Sequence, residues 1–344
     1  MGDVLHAMPA VAALRAAHPE WFIGWAIEPR WSELMQAAGG RTAMRGAGMP
    51  LVDRCHRVET LEWKRRPVSV GTLASINGLR RELRQESYDV CVDMQGLMRS
   101  AVIGRMAGAE RYFGPADSRE MAARWLYGYQ IERQSTHVIE QGCEVLGAAA
   151  GEELRPGRVW LPVDDAAGAW CDELLAGFGD GRFVVMAPTA GWGAKQWPVE
   201  RFGAAAAELG RAGYRTLVNA SSVRDETAKK LVAASEGFAT AVPCSIGELI
   251  ALMRLAAVVI AGDTGPLHMA AALERPVVGI YGPTDPARTG PYGTRARVLR
   301  DAASVTNHKR LGEPEAGLLR IGVGEVVAAA LELLGQSVGD EVKL

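Results

Sequence analysis

The segment richest in potential chemistry runs from Val258 to Gly293 and reads VVIAGDTGPLHMAAALERPVVGIYGPTDPARTGPYG. An apolar strand leads into Gly262–Gly265, and Pro266 suits the first turn of the helix that follows. The free N–H groups at that helix start, together with the helix dipole, predict an anion site suited to a phosphate or pyrophosphate. His268, one turn into the helix, could face either the anion or the core.

The same residues also have a plainer interpretation. An isolated Asp-Thr-Gly is commonly a tight turn, in which Asp263 would only cap the helix. A second strand end with a Gly-Pro loop, YGPTDP at residues 281–286, is expected beside the first. That neighbour favours the anion site over simple capping.

A second candidate is the loop APTAGWGAKQWP at residues 187–198, which follows a predicted strand. A lysine on a glycine-rich loop at a strand end is well placed to neutralise a phosphate. Lys195 taken alone could equally be an ordinary solvated lysine. Trp192 and Trp197 on so short a loop predict that the loop is packed and the lysine is held.

The third candidate is the start of the chain, MGDVLHAMP. A carboxylate at the mouth of a strand-to-helix turn, here Asp3, can act as a general base toward a substrate hydroxyl. From the motif alone, Asp3 is more simply a helix cap. His6 is as readily a structural hydrogen-bonding residue as a catalyst.

Basic residues form a fourth, more diffuse set in the first half of the chain. Lys64–Arg66 and Arg99, the latter within DMQGLMRSA, lie beside predicted loops. There they could bind an acceptor bearing phosphate or carboxylate groups, including one at a membrane face. Arg80, Arg81 and Arg84 are better explained as charge on a helix surface.

The elements that must position these residues alternate between short apolar runs and longer Ala/Leu-rich segments. This pattern indicates βαβ units with a largely parallel sheet, in which ligands bind at the carboxyl ends of the strands. Neither GxGxxG nor GxxxxGK[ST] occurs, which disfavours ordinary dinucleotide binding and P-loop chemistry. The predicted strands are 21–27, 88–93, 183–187, 216–219, 257–261 and 277–281. The predicted helices are 4–17 (starting at Val4 or Pro9), 72–84, 96–107, 166–175, 199–212, 225–234, 246–255, 266–273 and 324–334, with a loop at 39–50 and no clear period at 111–133.

Composition narrows the class of protein. With 38 Lys and Arg against 40 Asp and Glu, the net charge predicts no nucleic-acid partner. The five scattered cysteines form no CxxC pair, which argues against zinc and disulfides and for a reducing compartment. No apolar run reaches the roughly 18 residues that span a bilayer. The chain is therefore predicted to be a cytosolic globular protein of two domains.

Taken together, these segments resemble glycosyltransferase family 9, the heptosyltransferases of lipopolysaccharide core synthesis. MGDVLHAMPA resembles the family's opening SxGDxxxxxP motif, and GDTGPLHMAAALERPVVGIYGPTDP resembles its nucleotide-sugar signature. DMQGLMRSA with REMAARWLY is more similar to members that add the first heptose to Kdo-lipid A than to later-acting members. The resemblance covers nearly the whole chain.

The resemblance implies an α/β protein of the GT-B fold, with two Rossmann-like doubly wound domains facing a central cleft. An acceptor-binding domain would span residues 1–163. A nucleotide-sugar (donor) domain would span residues 164–344, and its final helix could pack back on the first domain. In the family a strand precedes the Gly-Asp turn, and the sequence here starts at the turn itself. We therefore expect a start placed roughly ten residues too late, a typical strand with its turn, so that the first strand is missing.

The resemblance also implies an inverting transfer of L-glycero-D-manno-heptose from ADP-heptose to a Kdo residue of Kdo-lipid A. The transfer would need no metal or other cofactor, and the enzyme would lie in the cytoplasm, peripherally on the inner membrane. Asp3 matches the family's catalytic base. The matching donor-binding positions are Thr189, Gly191, Lys195, Cys244, Asp263, Thr264, Gly265, Pro266 and His268. The matching acceptor-binding positions are Lys64, Arg65, Arg66, Gln95 and Arg99.

Two departures from the family leave the donor nucleotide open. Ala190 and Gly191 stand where related first-heptose enzymes carry threonines, and Cys244 stands where a relative has a methionine near the adenine. One alternative is therefore a family 9 transferase with another donor or a later core acceptor. A second alternative is a nucleotide-sugar binding protein whose catalysis is impaired.

Overall fold

The computed structural model describes residues 1–38, 45–178, 181–307, 309 and 311–340, with the side chains of 336–340 not described. The chain divides into two compact units. The larger unit comprises Met1–Leu5 and Val163–Leu344, and the smaller unit comprises His6–Pro162. The predicted loop at 39–50 falls partly outside the described residues, and its described part contains a bridge between Gly46 and Met49.

The chain starts with a helix, α1 (Gly2–Ala17), that tolerates an internal proline, Pro9. Leu5, Met8 and Leu14 are among its buried side chains, and their burial stabilises the helix through packing. Two short parallel sheets follow, where the sequence predicts one doubly wound sheet. They are β1–β2, with β1 at Gly24–Ile27 and β2 at Arg54–Arg57, and β3–β4–β5, with β3 at Val90–Val92, β4 at Arg111–Pro115 and β5 at Tyr129–Ile131.

The helices of the smaller unit agree with the predicted positions to within two residues where a helix is predicted, except that the alternative start of α1 at Pro9 is wrong, since α1 begins at Gly2. The stretch 111–133, which shows no period in the sequence, contains β4, a 3₁₀ turn at Met121–Leu126 and β5. The sequence does not predict β2 (RCHR) or β5 (YQI), because these strands are short and carry polar residues. After α1, the helices are α2 (Thr60–Arg65), α3 (Val70–Gln85), α4 (Met98–Met106) and α5 (Val138–Ala150).

The part of the larger unit that the structure describes contains a parallel sheet of six strands in the order β11-β10-β9-β6-β7-β8. Every residue of β6, β9 and β10 is buried, as expected for a parallel sheet with helices on both faces. The edge strands β8 and β11 are partly exposed, which explains why no apolar run predicts them. The strands are β6 (Phe183–Ala187), β7 (Arg215–Ala220), β8 (Ala239–Pro243), β9 (Val258–Gly262), β10 (Val277–Tyr281) and β11 (Ala296–Arg300).

The helices of the larger unit are α6 (Asp165–Ala176), α7 (Val199–Arg211), α8 (Glu226–Ala233), α9 (Ile246–Leu255), α10 (Gly265–Ala272), α11 (Pro286–Thr289) and α12 (Val323–Asp340). Ser245 caps α9 as predicted, since its hydroxyl accepts a hydrogen bond from Glu248 N. The final helix, α12, packs on α7 and on strands β9 to β11 of its own unit. None of the described helices is long and apolar enough to cross a membrane.

Strand order determines where a ligand can bind in the larger sheet. From β6 the chain moves outward through β7 and β8, then returns to β9 on the other side of β6 and continues through β10 and β11. The sheet therefore reverses its winding between β6 and β9. The carboxyl ends of strands at such a reversal flank a crevice that commonly binds ligands. The loops after β6 and β9 are the two candidate loops of the sequence.

Candidate functional site

At the strand reversal, the loop after β6 meets the end of β9. Gly262, the last residue of β9, has no side chain to keep the loops apart. A Cβ at this position would lie 3.1 Å from the Lys195 carbonyl oxygen. The close approach brings Lys195 to Asp263, the next residue along.

Asp263 is the centre of a buried charged network. Its Oδ2 lies 2.5 Å from Lys195 Nζ, and its Oδ1 accepts a hydrogen bond of 3.0 Å from His268 Nε2. Asp263 is 8 % exposed and His268 is 6 % exposed. The N-cap position of α10 is Thr264, not Asp263. The interpretation of Asp263 as a simple helix cap is therefore wrong, because its carboxylate binds two side chains instead.

The environment of Asp263 determines its ionisation. Burial alone would raise the pKa of the carboxyl, but the hydrogen bond and charge of His268 and the charge of Lys195 outweigh it. The pKa of Asp263 is consequently held well below its usual range. A carboxylate with so low a pKa is a weak base, so Asp263 orients its two partners instead of accepting a proton.

Lys195 is held from several sides. Besides the carboxylate, its Nζ lies 4.9 Å from the centre of the Trp192 ring, a cation–π contact. Trp197 is 1 % exposed and donates from Nε1 to the Ile321 carbonyl oxygen at 3.1 Å. The prediction that two tryptophans make this a packed loop with a held lysine is confirmed. The alternative of a freely solvated Lys195 is wrong.

The chain start lies beside α10 within the larger unit. A Cβ at position 2 would lie 3.7 Å from His268 Cδ2, an ordinary van der Waals contact, so the first residues of α1 adjoin the His268 ring. Asp3 follows in the first turn of α1 and is exposed. Its carboxylate is therefore accessible from solvent at the start of a helix, where the macrodipole favours a negative charge.

The remaining donor-binding candidates lie around the same edge of the sheet. Thr189 and Gly191 are exposed on the loop after β6, whereas Pro266 begins α10 with Gly265. Cys244 directly follows β8, and its Sγ accepts a hydrogen bond of 3.4 Å from Asn219 Nδ2 on the neighbouring strand β7. Burial raises the pKa of the Cys244 thiol to about 11, so this side chain is neutral.

Sequence reasoning missed a segment, residues 311–315, that contacts the loop carrying Lys195. We call this segment the clamp and the loop the lysine loop. Ala194 donates from N to the Leu311 carbonyl oxygen at 3.0 Å and accepts at its own carbonyl from Glu315 N at 3.2 Å. A Cβ at Gly193 would lie 1.6 Å from the Gly312 carbonyl oxygen, so only glycine fits there. Nothing in the local pattern marks this contact, because its partners are more than a hundred residues apart.

Glu315 in turn organises the clamp. Its Oε2 accepts hydrogen bonds from Ser304 Oγ at 3.0 Å, Gly317 N at 2.9 Å and Leu318 N at 3.2 Å. Burial acts to raise the pKa of Glu315, but these hydrogen bonds outweigh it and hold the pKa below its usual range. Glu315 therefore stays ionised at neutral pH, and its carboxylate fixes the segment whose Leu311 carbonyl and Glu315 N–H hydrogen-bond Ala194.

In the smaller unit, one hydrogen bond joins α2 and α4, the two helices beside which the acceptor-binding candidates lie. Arg99 on α4 donates from Nη1 to Thr60 Oγ1 at 3.1 Å, and Thr60 begins α2. Lys64 and Arg65 lie in the last turn of α2, and Arg66 is its C-cap; all three are exposed. The two sets of predicted basic residues are thus carried by adjoining helices.

Asp93 is a second residue that sequence reasoning missed. This buried carboxylate accepts from Gln95 N at 2.8 Å and Gly96 N at 3.3 Å, and from Ser100 Oγ at 2.8 Å and Tyr127 Oη at 2.7 Å. It fixes the turn that carries Gln95 into α4. Its position directly after an apolar strand was the available signal.

Comparisons with known proteins decide the family. The profile of glycosyltransferase family 9 (heptosyltransferase) matches residues 76–316, more than half of the chain. The chain belongs to glycosyltransferase family 9. It is a glycosyltransferase, as the sequence predicts. Among the residues that the structure describes, no group of three or more His, Cys, Asp or Glu side chains is arranged as metal ligands would be.

Individual family 9 relatives align over most of this chain. Lipopolysaccharide heptosyltransferase 1 of Escherichia coli K12 is 26% identical over 307 residues, which cover 87% of this chain and 90% of the relative. Lipopolysaccharide heptosyltransferase 2 of the same strain is 23% identical and covers 87% of this chain and 85% of the relative. The solved structure of E. coli heptosyltransferase WaaC with ADP has a TM-score of 0.75 at 24% identity and covers 96% of each chain. The family 9 glycosyltransferase of Veillonella parvula has a TM-score of 0.78 at 20% identity, covering 97% of this chain and 94% of that one. These likenesses confirm the GT-B fold class.

Proposed function

We propose that this family 9 enzyme transfers L-glycero-D-manno-heptose from ADP-heptose to a Kdo residue of Kdo-lipid A, with inversion at the anomeric carbon. The observation that carries the proposal is the Lys195–Asp263–His268 network at the strand reversal, a held cation beside the start of α10. Support for heptosyl transfer in lipopolysaccharide synthesis comes from the relatives named lipopolysaccharide heptosyltransferase 1.

In this mechanism the donor diphosphate binds at the Lys195 ammonium and the N-terminus of α10. As the glycosidic bond breaks, negative charge grows on the leaving ADP, and both groups stabilise that charge. Asp263 keeps Lys195 and His268 in place without itself taking a proton. Because Lys195 and the N-terminus of α10 supply this positive charge, we propose that the transfer needs no metal ion.

Asp3 serves as the general base in the same proposal. The acceptor hydroxyl attacks the anomeric carbon from the face opposite the diphosphate, its proton passes to the Asp3 carboxylate, and the C–O bond to ADP breaks. Attack from the opposite face inverts the anomeric configuration. The exposure of Asp3 in the first turn of α1 suits a base that must reach a substrate hydroxyl.

The acceptor belongs to the smaller unit in this proposal. Lys64, Arg65, Arg66 and Arg99 would bind phosphate and carboxylate groups of Kdo-lipid A, with Gln95 beside them on the turn that Asp93 orders. Because that acceptor is a lipid, the enzyme would work in the cytoplasm, peripherally on the inner membrane.

The test is an activity assay with purified protein. We expect ADP-heptose to be turned over on Kdo-lipid A, and the same rate with and without a chelator of divalent metals. A clear preference for an already heptosylated acceptor would instead assign the chain to a later step of core synthesis. Binding of ADP-heptose with no transfer to either acceptor would identify a nucleotide-sugar binding protein.

A second candidate, transfer from another nucleotide sugar, is favoured by one observation. Ala190 and Gly191 carry no hydroxyl on the loop that holds Lys195, and the small side chain of Cys244 lies at the end of β8. Competition among ADP-, GDP- and UDP-linked sugars distinguishes this candidate from ADP-heptose use.

A further inference from the structure

The connection between α2 and α3 exposes apolar side chains to an unusual degree. Val68 is 87 % exposed and Val70 is 84 % exposed, and Leu73 on the first turn of α3 is 54 % exposed. Single exposed apolar residues are ordinary in soluble proteins. Three within six residues of the chain are a local concentration of exposed apolar side chains, which we call the ridge, and such concentrations are found at interaction surfaces.

Hydrogen bonds hold this ridge in place. Thr72 is 5 % exposed, and its Oγ1 donates to the Arg66 carbonyl oxygen at 2.6 Å. Ser69 accepts at Oγ from Thr72 N at 3.1 Å and donates from N to the same Arg66 carbonyl at 3.2 Å. The valines are thus presented outward by a fixed turn, which lowers the conformational cost of binding.

Positive charge lies directly beside the ridge. Residues 63–73 read WKRRPVSVGTL and contain three cations, Lys64, Arg65 and Arg66, with no acidic residue. The nearest ion pair, Arg65 Nη1 to Glu62 Oε2 at 4.0 Å, joins two exposed groups and neutralises little. Cations beside exposed apolar side chains match the two layers of an anionic membrane surface, phosphates outside and acyl chains beneath.

We propose that the ridge, together with the adjacent cations Lys64–Arg66, docks the enzyme on anionic phospholipid bilayers. Val68 and Val70 enter the boundary between headgroups and acyl chains, while Lys64–Arg66 contact lipid phosphates. The inference rests on the proposed function, because a lipid acceptor gives the enzyme a reason to dock. The surface would also bring the basic acceptor-binding residues to the plane in which Kdo-lipid A lies.

The test measures partition of the full chain onto vesicles of phosphatidylcholine with 30% phosphatidylserine, by co-sedimentation. We expect Val68→Ser/Val70→Ser to reduce partition about tenfold, since two apolar side chains lose their burial in lipid. A matched control is Val223→Ser/Val305→Ser, because these valines are 78 % and 69 % exposed on the larger unit. The control should bind as the wild type does.

Charge gives a second arm of the test. Lys64→Gln should reduce partition about fivefold, and pure phosphatidylcholine vesicles should bind the wild type weakly. Equal binding by wild type and Val68→Ser/Val70→Ser, or no binding of the wild type to anionic vesicles, would overturn the proposal. Concentration-dependent self-association abolished by Val68→Ser/Val70→Ser, without vesicle binding, would assign the ridge to a second copy of the chain instead.

Transfer to a water-soluble Kdo acceptor separates this inference from the proposed function. Val68→Ser/Val70→Ser should leave that rate unchanged, whereas its rate on acceptor embedded in vesicles should fall with its partition. Vesicle binding that follows the expected pattern in a protein without heptosyl transfer would leave the docking surface standing and refute the proposed function. Heptosyl transfer by a protein that does not bind vesicles would support the proposed function and refute the docking surface.

Discussion

The larger and the smaller unit hold their charged residues in opposite ways. In the larger unit, Lys195, Asp263 and His268 form a buried network at the reversal of a six-stranded sheet. In the smaller unit, Lys64–Arg66 and Arg99 lie exposed on helices beside two short sheets. Buried charges act in a low dielectric and depend on one another, whereas exposed cations are screened and act nearly independently. Substitutions in the larger unit should therefore have the larger effects.

The largest effect is expected at the chain start. Asp3→Asn should lower kcat by about 10² to 10⁴, the usual contribution of a general base, and leave ADP affinity unchanged. Asp165→Asn is the matched control, because Asp165 is an exposed aspartate in the first turn of α6. A D3N enzyme that keeps its kcat would remove Asp3 from the reaction.

The next effect concerns the buried cation. Lys195→Met should lower kcat/KM by about 10² to 10³, as expected on removal of a group that stabilises growing charge. It should also lower the free energy of unfolding by about 3 kcal/mol, because Asp263 stays buried without that partner. Urea unfolding and donor kinetics measure the two losses. The double variant Lys195→Met/Asp263→Asn should recover stability but not activity. The control Lys229→Met removes an exposed lysine on α8 and should alter neither stability nor activity. Recovery of activity in the double variant would contradict the role of Lys195.

The clamp on the lysine loop predicts a smaller loss. Gly193→Ala would place its Cβ against the Gly312 carbonyl oxygen and shift the loop that carries Lys195. We expect KM for the donor to rise at least tenfold, because small displacements of a positioning group are costly. Gly181→Ala, where a Cβ meets nothing within 4 Å, should behave as wild type. Unchanged donor kinetics in G193A would show that the clamp does not position Lys195.

Acid titration tests the buried network through stability. The pKa of Asp263 is lower in the folded chain than in the unfolded one. Its contribution to stability is therefore present above about pH 4 and is lost as pH falls below that value. Between pH 5 and pH 3, the wild type should lose about 1 kcal/mol more of its unfolding free energy than Asp263→Asn. Parallel losses in the two proteins, measured by urea unfolding, would argue against an ionised Asp263.

The smallest effect is expected on the exposed side. Arg99→Gln removes one exposed charge from a surface with several, so KM for the acceptor should rise about fivefold, because an exposed ion pair contributes at most about 1 kcal/mol. Arg81→Gln on the outer face of α3 is the control. A loss as large as that of Lys195→Met would mean that the acceptor side is as tightly coupled as the donor side.

The sequence predicted the larger unit better than the smaller one, for a physical reason. Strands β6, β9 and β10 are buried on both faces, so each appears as an apolar run whose end marks a candidate loop. Edge strands β8 and β11 and the short strands β2 and β5 carry polar residues and give no such signal.

Side-chain partners were the least predictable feature. The pairing of Asp263 with Lys195 joins two loops that are adjacent only because the sheet reverses between β6 and β9. The hydrogen bond from Glu315 N to the Ala194 carbonyl oxygen is likewise a tertiary contact, so no local sequence pattern predicts it. The motifs predicted that Lys195 and Asp263 lie on loops at strand ends. The order of the strands determines that these two side chains are in contact.

The most direct test of this account is ADP binding measured by titration calorimetry on the wild type, Asp3→Asn and Lys195→Met. We predict that Asp3→Asn binds ADP as tightly as the wild type, whereas Lys195→Met binds at least tenfold more weakly. Loss of ADP binding in Asp3→Asn together with unchanged binding in Lys195→Met would contradict the division between a base at the chain start and a buried donor site.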